Sequence, residues 1–174
     1  ERETWSITGT LDWKITDTFA VRSITNYRKL DFFNASDLDV SAHSFVDVDL
    51  PMKDKQFSQE LQLIYDTDRL HALLGVYYYK EKMSGTTDVY LRFANSTLFQ
   101  FVGENNTEAL SPFWNATYDF SDRFSLRAGG RLNNEDRDFQ NFRFLAGNLT
   151  GQLADKRDFN KYVGEYGLDF HITP

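Results

Sequence analysis

From Thr4 to Ile15 the chain alternates. Trp5, Ile7, Gly9, Leu11, Trp13 and Ile15 occupy one register, and Thr4, Ser6, Thr8, Thr10, Asp12 and Lys14 the other. A period of two puts these sets on opposite faces of a β-strand, one apolar and one polar. After Thr16 and Asp17 the alternation resumes with Phe19, Val21, Ser23, Thr25 and Tyr27 against Arg22, Asn26 and Arg28, which predicts a tight hairpin. The same unit returns twice. Phe57, Leu61, Leu63 and Tyr65 lead through Asp66, Thr67 and Asp68 into Leu70, Ala72, Leu74, Val76 and Tyr78. Trp114, Ala116, Tyr118 and Phe120 lead through Ser121 and Asp122 into Phe124, Leu126, Ala128, Gly130 and Leu132. A seventh strand carries Tyr162, Gly164, Tyr166, Leu168, Phe170 and Ile172, and a fourth turn is expected at Pro174.

The tight turns near Asp17, Asp68 and Asp122 make the unit repeat about every 52 residues. Between hairpins lie long connections, about Asp31 to Asp54, Lys82 to Asn106 and Phe139 to Asp158. They run to roughly 20–25 residues, where compact domains prefer about 4–6. Strands that reverse at every connection put all short turns at one end of a sheet and all long loops at the other.

None of the apolar-register positions is Asp, Glu, Lys or Arg, whereas the opposite faces carry Arg22, Arg28, Glu60, Arg127, Arg131, Glu165 and Asp169. Aromatic residues gather in two bands. Trp13, Phe19, Tyr65, Tyr118, Phe120, Phe124 and Phe170 lie toward the turns, and Trp5, Tyr27, Phe57, Tyr78 and Tyr162 toward the loops. Aliphatic residues fill most of the space between. Two aromatic girdles around an aliphatic belt match a bilayer, in which a lipid-facing Arg or Lys at the midplane costs about 2–4 kcal/mol. Strands of about 10–14 residues suffice to cross hydrocarbon when tilted. The pattern therefore predicts an all-β, antiparallel, up-and-down transmembrane β-barrel segment of about seven long strands.

Composition narrows this further. With 41% hydrophobic and 16% aromatic residues the chain is too apolar to be disordered, yet no apolar run is long enough for a membrane helix. The absence of cysteine removes disulfide and thiolate-metal chemistry. A net charge of -7 argues against nucleic acid as a partner. Glu1 opens no signal peptide, so a processed N-terminus or a start inside a longer protein is expected.

Several stretches are similar to the barrel of TonB-dependent outer-membrane receptors, especially those for iron complexes. They are Phe57-Ser58-Gln59-Glu60-Leu61-Gln62-Leu63, then Arg69 to Tyr79, Arg22-Ser23-Ile24-Thr25-Asn26-Tyr27-Arg28, Ala116 to Arg131, and Val163 to Phe170. The resemblance implies a 22-stranded barrel in the bacterial outer membrane, closed by a separate plug domain and energised by the TonB complex through that plug. It also implies active uptake of a large scarce nutrient such as a ferric siderophore. On this reading residues 1–174 are a partial barrel domain, without plug or C-terminal strands, that supplies wall and extracellular loops.

Candidate sites follow from position. Arg22, Arg28, Glu60, Arg127, Arg131 and Glu165 face the lumen, where they either contact the plug or an anionic ligand or pair among themselves and with Glu135 as a structural charge ladder. In the second long connection, Tyr90, Phe93, Phe99 and Phe101 either capture ligand or pack on neighbouring loops, as an extra hairpin over the mouth. The acidic first connection, with Asp31, Asp37, Asp39, Asp47, Asp49 and Asp54, lacks calcium-loop spacing. His43, His71 and His171 do not cluster, so no metal site is expected, and neither a catalytic motif nor a cofactor signature is present. Two other classes compete: a small complete outer-membrane barrel for anchoring or adhesion, and a soluble β-repeat binding domain such as a propeller.

Overall fold

The computed structural model describes residues 1–40, 43 and 45–170 of the 174. Seven strands form a single sheet in chain order: β1 (Arg2–Lys14), β2 (Phe19–Asp37), β3 (Val46–Asp66), β4 (Leu70–Leu91), β5 (Ser96–Ser121), β6 (Phe124–Leu145) and β7 (Asn148–Phe170). All neighbours are antiparallel, and β1 and β7 form the two edges. The expected end of the last strand at Ile172 and the turn at Pro174 lie outside the described residues.

The short turns fall where the sequence places them, held by hydroxyls that replace ladder partners. Thr16 Oγ1 accepts from the Phe19 amide at 2.9 Å, and Thr67 Oγ1 from the Leu70 amide at 3.0 Å. At the other end the expectation of long loops is overturned. The strands run on through most of those segments to lengths of up to 26 residues: β2 ends at Asp37 and β3 begins at Val46, and the later connections shrink to the short helical turn Arg92–Ala94 with Asn95 and to the Ala146-Gly147 turn. Ala146 (φ 47°) and Gly147 (φ 81°) are both left-handed, the backbone twist that a two-residue hairpin turn requires. The second connection is thus no separate hairpin but the continuation of β4 and β5.

Nothing among the described residues forms a second layer on the sheet. Among the described residues Leu30 is the one buried hydrophobic side chain, while Trp13 is 63% and Leu74 59% exposed. The accessible surface of 12218 Å² exceeds the roughly 8,800 Å² expected of a compact monomer of this mass. One sequentially paired sheet excludes the propeller alternative, whose blades are separate four-stranded sheets.

Register joins the apolar sets of all seven strands into one face: Leu63 opposes Leu74, Leu74 opposes Trp114, Ala116 opposes Ala128, and Leu126 opposes Leu168. An eight-residue interval spans this face on every strand; at the loop end it closes on a polar residue throughout, while at the turn end Ile15 after β1 and Phe120 on β5 carry the apolar register one step further. Its limits are Trp5 and Trp13, Tyr27 and Phe19, Phe57 and Tyr65, Tyr78 and Leu70, Leu110 and Tyr118, Leu132 and Phe124, and Tyr162 and Phe170. One step further toward the loop end, the same register holds Glu3, Lys29, Lys55, Lys80, Glu108, Asn134 and Asn160, all polar.

Both boundaries cross the ladder obliquely. At the loop end Trp5 opposes Lys29, Phe57 opposes Lys80 and Leu110 opposes Asn134. At the turn end Trp13 opposes Val21 rather than Phe19, Tyr65 opposes Ala72 rather than Leu70, and Tyr118 opposes Leu126 rather than Phe124. Each boundary therefore steps by two residues at the same three strand pairs and in the same direction. Six residues at about 3.3 Å across six spacings of about 4.8 Å correspond to a strand tilt of about 35°. Projected through that tilt, the interval is a band about 22 Å tall, against about 25 Å and 35–45° in transmembrane barrels.

Candidate functional site

The polar face between the two boundaries is lined with short-range pairs. Arg22 donates to Asp12 across the β1–β2 ladder at 2.5 Å. Gln62 donates to Glu60, two residues back on β3. Asn115 donates to Glu165 at 3.1 Å. Arg131 lies over the Tyr77 ring at 5.5 Å and donates to Asn133 at 2.7 Å, a carboxamide that also accepts from Ser111 at 3.2 Å. The Arg127 guanidinium lies across Gly167, where an added Cβ would come within 3.4 Å of it. The six charged candidates are thus spread down the face and not gathered into one constellation. Among the described residues no ion pair joins Arg22, Arg28, Arg127 or Arg131 to Glu60, Glu135 or Glu165: Arg22 takes Asp12, Arg28 takes Asp54, and Glu135 takes Arg137.

Just beyond the loop-end boundary β2, β3 and β4 share a denser knot. The Asp54 side chain is 7% exposed and meets Arg28 at 3.4 Å. Gln56 donates to Asp54 at 3.0 Å and to Glu81 at 2.6 Å, and the Tyr79 hydroxyl donates to Glu81 at 3.0 Å. Burial, and next the Glu81 charge, hold the Asp54 carboxyl above the usual range despite Arg28. Arg28 Nε and Asp54 Oδ1 are buried without a hydrogen-bond partner. Sequence reasoning placed Asp54 in an acidic loop; the register puts it on the face of Glu60 and Gln62, beside Leu30 and Met83.

Above that knot the two faces exchange character. In the polar register, β3 continues with Met52, Leu50 and Val48, β4 with Met83, Gly85 and Val89, and β5 with Gly103, Phe101 and Phe99. The opposite register of β3 and β4 now holds Lys55, Lys53, Asp49, Lys80, Lys82 and Asp88. Phe32, Met52, Gly85, Gly103 and Asn141 stand in one cross-strand row. Its two adjacent glycines leave a groove of about 340 Å³, walled by Leu50 and Phe101. A Cβ at Gly85 would lie 3.2 Å from the Pro51 carbonyl oxygen, so a side chain there would close the floor.

Of the four aromatic candidates, Phe101 lines this groove and Phe99 continues the same face. Tyr90, at a bulge in β4, and Phe93, 75% exposed in the helical turn, sit at the hairpin tip away from it. Arg92 ties that tip to β3 by pairing with Asp47. Phe32, Met52, Gly85, Gly103 and Asn141 were not anticipated, although the alternation of Val46, Val48, Leu50 and Met52 with Asp47 and Asp49 was a strand signal inside a presumed loop. At the turn end His71 contacts Asp66 and lies 3.3 Å from Asp119. His171 lies outside the described residues. No group of three metal-ligating side chains occurs among the described residues.

No protein-family model matches the chain, and no curated protein matches it in sequence. Solved structures do match in fold. The ferric yersiniabactin uptake receptor FyuA of Yersinia pestis superposes with a TM-score of 0.78 at 16% identity, over 99% of this chain and 26% of that one. The open form of the ferric-catecholate import receptor Fiu of E. coli K12 gives 0.65 at 12%, over 99% and 34%. The closed form of Fiu gives 0.56 at 13%, over 99% and 31%. The chain spans about a quarter to a third of these receptors, and identities this low speak for the fold alone. In fold, these seven up-and-down strands match a segment of the barrels of these uptake receptors, the architecture that the strand residues' resemblance implied.

Proposed function

We propose that residues 1–174 are a partial barrel domain of an outer-membrane receptor for TonB-dependent uptake of a large iron complex of the ferric siderophore type. The apolar face meets hydrocarbon, the polar face lines the lumen against a plug domain of the same full-length protein, and the strand extensions form the wall of an extracellular vestibule. The carrying observation is the oblique loop-end boundary, where the apolar register turns polar on all seven strands at a level that steps with the strand tilt. A sheet buried against protein has no reason to hold one constant height across its tilt, whereas a bilayer imposes it. FyuA and Fiu, with which the fold is shared, are import receptors for ferric complexes. The open sheet order, with β1 and β7 at opposite edges, weighs against a small complete barrel.

Within the vestibule the Phe32–Met52–Phe101 groove suits an apolar or aromatic portion of a ligand, and the Arg28–Asp54 knot below it offers polar contacts. The test is binding of radiolabelled ferric siderophores of catecholate, hydroxamate and phenolate types to cells expressing the full-length protein, with and without TonB. Saturable binding in both strains and accumulation only with TonB is the expected result. Accumulation that is independent of TonB would exclude the transport assignment.

A further inference from the structure

Lysine and arginine are sorted by face. Arg22, Arg28, Arg127, Arg131 and Arg137 share the polar register, whereas six of the eight lysines share the other, five of them, Lys29, Lys53, Lys55, Lys80 and Lys82, on β2, β3 and β4 and Lys156 apart on β7. Lys29, Lys55 and Lys80 are the first residues of that face beyond Tyr27, Phe57 and Tyr78. Lys29 directly opposes Lys55, which on its other side opposes Lys82. Like charges facing each other across a ladder destabilise it. Carboxylates answer only at the margins: Asp31 lies 2.5 Å from Lys29, Glu108 3.6 Å from Lys80 and Glu104 4.0 Å from Lys82. Lys53 and Lys55 are exposed and, among the described residues, form no ion pair. On β5, β6 and β7 the same level holds Glu108, Asn134 and Asn160, followed by Asp136 and Asp158, so the basic character stops at β4.

We propose that Lys29, Lys53, Lys55, Lys80 and Lys82 form a binding site for the phosphate-bearing headgroup of a membrane lipid in the leaflet at the loop end. The proposal rests on the lipid-facing assignment of the apolar face. The patch continues that face at headgroup depth, and three lysines across two strand spacings cover about 10 Å, the width of a headgroup. Lysine stems lie along apolar surface while their ammonium groups reach polar ground. A flexible point charge suits a mobile phosphate, whereas the rigid guanidinium fork suits the fixed partners of the other face. Phosphate between Lys29, Lys55 and Lys82 also relieves a repulsion that Asp31 and Glu104 answer only from the margins.

The test uses the full-length protein in zwitterionic micelles, titrated with short-chain phosphatidic acid, short-chain phosphatidylcholine or inorganic phosphate. A lysine near an anionic surface contributes about fivefold in partitioning. The triple variant Lys29→Gln/Lys55→Gln/Lys80→Gln should then bind phosphatidic acid about a hundredfold more weakly at low salt, and about tenfold at physiological salt, where screening acts over about 8 Å. A second triple variant, Lys14→Gln/Lys156→Gln/Lys161→Gln, matched in charge but away from the patch, should bind as the wild type does. Removing mutually repelling charges leaves the fold intact, which retained heat-sensitive gel migration checks. Equal binding by the first triple variant and wild type, or equal binding of the two lipids, overturns the site. Inorganic phosphate binding as tightly as phosphatidic acid also overturns it, in favour of a soluble anion. Wild-type protein that inserts into phosphatidylcholine vesicles yet shows no headgroup preference defeats this proposal alone; failure to insert into any vesicle defeats the lipid-facing assignment with it.

Discussion

Leu61 sits on β3 midway between Phe57 and Tyr65, opposite Ser23 and Val76, and is 47% exposed on the apolar face. If that face meets hydrocarbon, Leu61→Arg puts a guanidinium near the midplane at a cost of about 2–4 kcal/mol, or about 30- to 900-fold in the folding equilibrium. Gln62, the next residue, points to the polar face and donates to Glu60, so Gln62→Arg places the same side chain beside a carboxylate. That change should stay within about 0.5 kcal/mol, since an exposed ion pair contributes little. Leu61→Ala separates lost packing from inserted charge. The assay is urea-dependent refolding of the full-length protein into phospholipid vesicles, with the folded fraction read by heat-sensitive gel migration. Equal tolerance of the two arginines, or the reverse order, would refute the assignment of faces.

Three further outcomes are expected. Gly75 lies under the Phe113 ring of the neighbouring strand, so Gly75→Ala must displace that ring and should lower stability by about 1–3 kcal/mol in the same refolding assay. Asp54 carries a raised carboxyl pKa, so the folded state binds more protons than the unfolded one as pH falls from neutrality, and stability rises through that window. Asp54→Asn should therefore be neutral or stabilising at pH 7, with an advantage that vanishes on acidification; a variant less stable than wild type at pH 7 would show that the Arg28 pairing outweighs burial. At Gly103 a Cβ meets Asn141 only at 3.5 Å, so Gly103→Leu should fill the groove without unfolding the sheet. On the proposed function it should weaken binding of a ferric siderophore at least tenfold, measured by fluorescence quenching on purified full-length protein.

The strands, their order and the two faces were legible because a period of two fixes the facing of every residue once one is known. Turns were equally plain, since Thr16, Thr67 and Ser121 supply side-chain acceptors where the chain reverses. The reach of the strands was not. Beyond Tyr27 and Phe57 the apolar residues change register, so Leu30, Phe32, Leu50 and Met52 break the pattern and the segment looks irregular, although the alternation persists with inverted polarity. Charge partners were illegible for another reason. Arg22 finds Asp12 and not Glu60 because pairing depends on register and side-chain reach, which alternation alone leaves open. The groove needed Gly85 to meet Gly103, residues 18 apart in sequence whose opposition is set by the hairpin between them.

On the proposed lipid-facing assignment, the inversion of polarity marks the membrane boundary more sharply than the aromatic bands do. β5 has no aromatic residue on the apolar face at its loop end, yet the change from Leu110 to Glu108 marks the same level that Tyr78 and Lys80 mark on β4. On β3 both faces change within a few residues: Phe57 gives way to Lys55 on one, and Gln56 and Asp54 to Met52 on the other. A folding core would keep its apolar side throughout, because protein covers it along its whole length. A wall that leaves hydrocarbon for water must reverse, with apolar residues moving to whichever side is still sheltered. On the proposed assignment that sheltered side is the interior of the vestibule, with the Phe32–Met52–Phe101 groove on it and the lysines on the other face. Lys55→Leu, which extends the apolar face past the boundary, should therefore deepen the protein's seat in the bilayer, read as reduced accessibility to aqueous quenchers of a probe at position 53. Unchanged accessibility would mean that the boundary is set by the tryptophans and tyrosines instead.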